Sequence, residues 1–259
     1  MGNGSSIRTS IFPIPPQGEM RVRTRYACLL DTGLGVYTTS IPFPVTRNAK
    51  DRPISEVRID LQFQSSWPMR LSAPDGFRTR IRDGGCCWSG TFQAKEYKAK
   101  GELDILCRSY REEPGLTVNV NVGPKGQRTF VAIIGAGQQK LSSVRLKFEG
   151  AKVLSMVPEK IPVIEAGGQT LVFGSLEGTT RPVVTLDARQ GFTRVLIRTP
   201  VARISTTAKS TRHIPCFWAL SQVNAMIEEG NLEAGDQQKI IALSMRYGIL
   251  TPYTAFLAK

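Results

Sequence analysis

The chain has 259 residues, enough to bury a sizeable core as one large or two modest domains, with the 41% apolar content of a soluble globular protein. Lys and Arg number 34 against 21 acidic residues, and the resulting net charge of +13 suits an anionic partner. The sequence holds no run near the roughly 18 apolar residues of a spanning helix and no secretory-signal pattern. Its five cysteines lack C-x-x-C spacing, so it reads as a soluble, intracellular chain.

Residues 1–10 read as a disordered or tag-like stretch, because Met1 to Ser6 are small and polar. The same residues fit the M-G-x-x-x-S pattern for myristoylation at Gly2, and one acyl chain gives only marginal membrane contact. From Phe12 the pattern is β. Pro13, Pro15, Pro16 and Gly18 make a turn, after which Met20, Val22, Thr24 and Tyr26 alternate with Arg21, Arg23 and Arg25. Leu29 to Gly33 turns into a strand from Val36 to Ile41, which Pro42 ends.

Val57 to Gln64 alternates cleanly, as a half-buried strand should. Leu71 to Gly76 reads as strand then turn, Trp88 to Gln93 as a strand, and Leu103–Arg108 and Leu116–Val122 as strands flanking a Pro114-Gly115 turn. Cys86 and Cys87 are adjacent and poorly placed to bond each other. Buried thiols are expected, with a bond from one of them to Cys107 as the alternative.

Thr129 to Gly137 ends an apolar strand in G-x-G, the opening of a dinucleotide-binding fold. Lys140 occupies the third glycine position, however, and an alternating strand rather than a helix follows, so no phosphate site of that kind is expected. Val183–Leu186 and Thr193–Arg198 predict a hairpin around Asp187 to Gly191, and Ser205 to Arg212 a basic linker. Cys216, Ala219, Leu220, Val223, Met226 and Ile227 recur at helical spacing between Pro215 and Gly230. A second helix is predicted from an Asp236 N-cap through Ile240, Ile241, Leu243, Ser244 and Met245 to Gly248. Ile249 to Ala258 then reads as a strand that Pro252 confines to an edge, a start or a bulge.

Ala242 to Ala258, with Phe217-Trp218-Ala219 before it, resembles the closing segment of proteins that pair a VIT domain with a von Willebrand A domain, such as the inter-alpha-trypsin-inhibitor heavy chains. Leu220 and Ala255 stand where that family usually has Arg and Ser. Pro15 to Glu19, the strand carrying Tyr26 and the hairpin closing at Ile41-Pro42 resemble the second half of a VIT domain, the first half being absent. Leu141–Phe148, Val153-Leu154, Pro158–Pro162 and Ala166–Gly174 resemble the chain that resumes after the A domain. The resemblance implies a VIT-like portion over 11–134, a short turn at 135–140 in place of the inserted domain, and a post-A-domain portion over 141–259 packed with the first. Tyr26, Trp218, Leu243, Tyr253 and Phe256 are expected in the core.

No Asp has Ser two positions on, so the family's metal-dependent adhesion is not carried over, and one histidine with no C-x-x-C gives no zinc site. His213, the sole histidine, sits in the basic linker, and no Walker, H-E-x-x-H or G-x-S-x-G motif occurs. The reading is a non-enzyme without metal or cofactor. Arg21, Arg23, Arg25 and Arg78, Arg80, Arg82 share period-two spacing. On strands they would form rails of guanidinium groups roughly 7 Å apart, able to engage phosphates or sulfated sugars. The alternative is a solvated outer face, or one abutting an acidic neighbour.

These readings combine into a mainly β fold: a β-sandwich host with a C-terminal pair of α-helices and a returning final strand. The function they imply is a non-catalytic scaffold or protein-protein interaction module, a subunit of a larger assembly or of a self-assembly, recruiting partners by strand addition. The alternative is a basic anion-binding module for nucleic acid or acidic polysaccharide.

Overall fold

The computed structural model describes residues 31–33, 36–42, 53–65, 67–72, 75–98, 102–109, 112–205, 213–228, 230, 234–249, 251 and 253. Among the described residues the first seven strands, β1 (Asp31–Gly33), β2 (Val36–Pro42), β3 (Ile54–Gln64), β4 (Met69–Ser72), β5 (Arg78–Arg82), β6 (Cys87–Tyr97) and β7 (Glu102–Ser109), make two small antiparallel sheets. Their orders are β1-β2-β7-β4 and β3-β6-β5. The alternation of β3 turns Leu61 and Phe63 toward Tyr37, Ile105 and Cys107 of the other sheet, with Met69 and Leu71 beside them. The Trp88 indole N–H donates to the Met69 carbonyl at 3.0 Å and ties the two sheets together. Cys86, Cys87 and Cys107 are thiols, and burial pushes the Cys107 pKa up to about 11.

The larger sheet comprises β8 (Gly115–Val122), β9 (Arg128–Gly135), β10 (Ser142–Val157), β11 (Gln169–Gln190), β12 (Thr193–Pro200) and β13 (Arg203–Ser205). Its path is β10-β11-β9-β8-β13, and β12 also pairs with β11. The first half of β11 pairs with β9, and its second half with β12. Gly174 lies opposite Phe130, and Val184 opposite Phe148. Ten residues of straight strand span roughly 33 Å. The Phe130 and Phe148 ring centroids are nevertheless 4.7 Å apart, so the β10–β11 hairpin must bend. The bend lies where the register breaks between Glu149 and Ala151. Gly150 and Gly178 there take φ of +83° and +114°, and a Cβ on Gly178 would come within 2.9 Å of the Gly150 carbonyl.

The bent sheet thus closes on itself as a sandwich. Val118, Val120, Phe130, Ala132 and Ile134 from one layer meet Val144, Val184, Leu186 and Ala188 from the other. A parallel bridge from β13 to β8, with Ala202 N–H donating to the Val118 carbonyl at 2.8 Å, returns the chain to the first layer. Strands on either side of residues 135–140 therefore share one sheet, and the change of sheet along the chain falls between β7 and β8. No helix follows Gly135: a turn leads directly into β10.

Two helices complete the mainly β fold, α1 (Ile214–Glu228) and α2 (Ala234–Tyr247). Ile214 and Phe217 pack with Val131 and Phe173 on the outer face of β9 and β11. The Trp218 indole donates to the Ser155 hydroxyl at 3.1 Å, which itself meets Ser175 at 2.7 Å. Ala219 and Val223 are also buried, about half a turn round the helix from Phe217, and α2 packs along α1. The predicted single stripe is therefore corrected: α1 is covered on two sides, and Cys216, placed in that stripe, is exposed.

In α2 the buried positions are Ile240 and Ser244, one turn apart, while Ile241 and Met245 point outward and Leu243 is half-buried. Asp236 lies within the first turn, bonded to Lys239 at 2.9 Å, rather than at the cap. The helix ends as expected at Gly248, φ +66°, with Ile249 N–H donating to the Ser244 carbonyl at 3.0 Å. Trp218 is half-buried in the helix–sheet interface. Tyr253, expected in the core, is instead 40% exposed, because a turn follows Thr251 and Tyr253 N–H bonds back to that hydroxyl. Tyr26, Phe256 and the remainder of the expected final strand lie outside the described residues.

A Cβ on Gly174 would lie 2.3 Å from the Phe130 ring and 2.4 Å from the Ser155 carbonyl. Gly174→Ala is therefore expected to cost about 1–3 kcal/mol by overpacking, and Phe130→Ala about 3–5 kcal/mol, both read from urea unfolding.

Candidate anion-binding face

The inward side chains of the second layer are Val144, Leu146 and Phe148 on β10, Val184, Leu186 and Ala188 on β11, and Val195 and Ile197 on β12. The period of two then places Arg145, Lys147 and Glu149, Thr185, Asp187 and Arg189, and Arg194, Leu196 and Arg198 on the outer side. Register makes these neighbours: Asp187 lies between Arg145 and Leu196, Thr185 between Lys147 and Arg198, and Arg189 beside Arg194. Five cations and two carboxylates occupy a face about 10 Å wide and 14 Å long. A shallow depression of about 390 Å³ opens there between Ser143, Arg145, Asp187, Arg189 and Arg194.

Both carboxylates are already engaged. Arg194 grips Asp187 with two bonds, Nε at 2.9 Å and Nη2 at 2.7 Å, and Arg198 pairs with Glu149. Arg145, Lys147 and Arg189 have no ion pair among the described residues. The Arg194 hydrogen bonds hold the Asp187 carboxyl below the ordinary aspartate range, and the charges of Arg194, Lys147 and Arg145 push it the same way. Phe192 stands at the tip of the β11–β12 hairpin, fully exposed, and Leu196 is 61% exposed on the outer face.

Arg78, Arg80 and Arg82 fall on strand β5, all of whose residues are exposed. Its arginines lie opposite Thr91, Ser89 and Cys87 of β6, in a different sheet from the face just described. Arg21, Arg23 and Arg25 lie outside the described residues. His213 directs its ring edge-on to Phe217, with centroids 5.5 Å apart, and desolvation there lowers its pKa. The described residues hold no cluster of three potential metal ligands, and no helix among them is long and apolar enough to cross a membrane.

Arg145, Lys147, Arg189, Arg194, Arg198 and Phe192 escape a linear reading of the sequence, because only strand register assembles them. Their signals are the even spacing of Arg145 with Lys147 and of Arg194 with Arg198, and a Gly-Phe pair at a turn. The predicted loop from Asp187 to Gly191 is corrected: Asp187 to Gln190 continue the strand, and the turn is Gly191-Phe192.

No protein-family model matches this chain, and no curated protein matches it.

The depressed pKa of Asp187 means that its ion pair contributes stability above the unfolded aspartate pKa, and that this contribution is lost as pH falls through the folded value. An NMR titration of the Asp187 carboxyl is expected to give a midpoint below that of ordinary aspartate, and Arg194→Gln to move it upward.

Proposed function

We propose that this chain is a non-catalytic interaction module, a β-sandwich scaffold that presents a basic sheet face to an acidic partner. The observation that carries the reading is the cation surplus on the β10–β12 outer face, where Arg145, Lys147 and Arg189 have no ion pair among the described residues, while Asp187 and Glu149 have each taken an arginine. Such a surplus gains free energy from a polyanion by releasing its counterions. A flat ladder sets that charge on a rigid frame without ordering a loop.

Recruitment by strand addition finds less support at β5. It is an edge strand, but it presents three arginines, and like charge of that kind blunts edges.

Retention of the whole chain on heparin tests the reading. Arg145→Glu, Lys147→Glu and Arg189→Glu together are expected to take about three from the slope of log affinity against log salt, with the β-sheet circular dichroism of the folded chain retained. Retention indifferent to the three reversals would refute it.

A second reading concerns descent: the chain is a VIT/von Willebrand A-type host whose A domain is replaced by residues 135–140. It is favoured by the sharing of one sheet across that turn, through the β9–β11 and β8–β13 pairings. The turn is closely held, with Ala136 N–H to the Gly168 carbonyl at 3.0 Å and Gln138 N–H to the Glu112 carbonyl at 2.9 Å. The ends of an inserted domain lie close together, as β9 and β10 do here. A folded domain inserted between Gln139 and Lys140 is expected to shift the host melting temperature by less than about 5 °C, whereas insertion between Val131 and Ala132 should abolish folding. Loss of the host fold on insertion after Gln139 would count against this reading.

A further inference from the structure

We infer that the β11–β12 hairpin docks this face onto an anionic phospholipid bilayer, Phe192 entering the interface while the arginines beside it meet headgroup phosphates. The inference rests on the reading of the β10–β12 face as an anion-binding surface, and it names the partner.

Phe192 is 104% exposed, so its ring contributes nothing to the core. It is also held firmly. Gln190 pairs with Thr193, and of the two residues between them only Gly191 takes positive φ, +58°, as in a type II′ turn with glycine first. Below the turn β11 and β12 stay paired as far as Val183 and Pro200, and the bidentate Arg194–Asp187 contact braces them. An apolar ring is thus presented to solvent on a rigid stem, at a position where a polar residue would satisfy the turn equally well.

The charges stand where an inserted tip requires them. Arg189 and Arg194 form the cross-strand pair one step below Gln190 and Thr193, and Arg145 lies on the adjoining strand beside Asp187. Leu196 adds exposed apolar surface on the same side. With the ring among acyl chains near the headgroup boundary, these guanidinium groups come level with the phosphates.

The shape of the tip favours a bilayer over other anions. A single convex ring needs a preformed pocket in a protein partner, whereas a bilayer deforms around it. Single-stranded nucleic acid is bound by successive aromatic platforms along a groove. Within residues 183–200, where β11 and β12 pair, and on the outer face beside them, Phe192 is the sole aromatic. Each cation near an anionic leaflet strengthens binding by about fivefold, and one phenyl ring at the interface by about tenfold.

Co-sedimentation of the whole chain with phosphatidylcholine vesicles, with and without about 30% phosphatidylserine, tests this. Binding is expected only with phosphatidylserine and is expected to be lost near 0.5 M salt, at roughly 4 Å screening length. Phe192→Ser should weaken it by about tenfold with no change in melting temperature or heparin retention. Phe192→Trp should add blue-shifted emission on binding. Vesicle binding unaffected by Phe192→Ser, or no vesicle binding while heparin retention still depends on Arg145, Lys147 and Arg189, would overturn the lipid inference and leave the anion-binding reading standing. Loss of oligo-dT binding in Phe192→Ser, with vesicles unbound, would overturn it in favour of single-stranded nucleic acid. Indifference of both heparin and vesicles to the basic residues would remove the underlying reading itself.

Discussion

The fold depends on one bend. β10 and β11 are too long to lie in a single flat layer, and two glycines with positive φ, Gly150 and Gly178, let the hairpin turn over on itself. The turn carries Phe148 back to Phe130, whose ring occupies the space that a side chain on Gly174 would fill. Three glycines and two aromatic rings therefore decide that this sheet has an inside. The alternation along β8, β9 and β11 then fills it with Val118, Val120, Ala132, Ile134 and Leu186.

The same bend makes the basic face. A strand with one side buried must send its other side to water, so folding the second half of the β10–β11 hairpin over the core turns Arg145, Lys147, Asp187 and Arg189 outward together. β12 extends that surface by two more arginines and supplies the turn that carries Phe192. Core packing and surface charge are two sides of one register. A shift of a single residue would exchange them.

What was legible in the sequence follows from which interactions are local. Val57 to Gln64 is readable because Val57, Ile59, Leu61 and Phe63 share the half-buried face of β3, and alternation reports that directly. The G-x-G after β9 was readable as a turn because an alternating segment followed it. The helices were visible, but their buried faces were not: α1 is covered by the sheet on one side and α2 on another, so a single stripe could not describe it. Asp187 looked like a turn residue because aspartate favours turns. In the structure Arg194, seven residues away, claims its carboxylate across the strands, and the turn moves to Gly191. The basic face was invisible for the same reason, since Arg145 and Asp187 are neighbours only through register. The family resemblance places Tyr253 in the core, whereas in the structure a turn follows Thr251 and leaves the ring partly exposed.

The helical hairpin has an uneven attachment. Its apolar contacts with the sheet, Ile214, Phe217, Trp218 and Leu220, fall within the first two turns of α1. The end of α2 returns to that same place, with Tyr247 against Trp218 at 5.9 Å between ring centroids and Arg246 bonded to Gln127. The sheet thus holds the pair by the start of α1 and the close of α2, with Trp218 as the link between them. Loosening that one indole would unclamp both helices together, because it bonds Ser155 of the sheet and meets Tyr247 of α2.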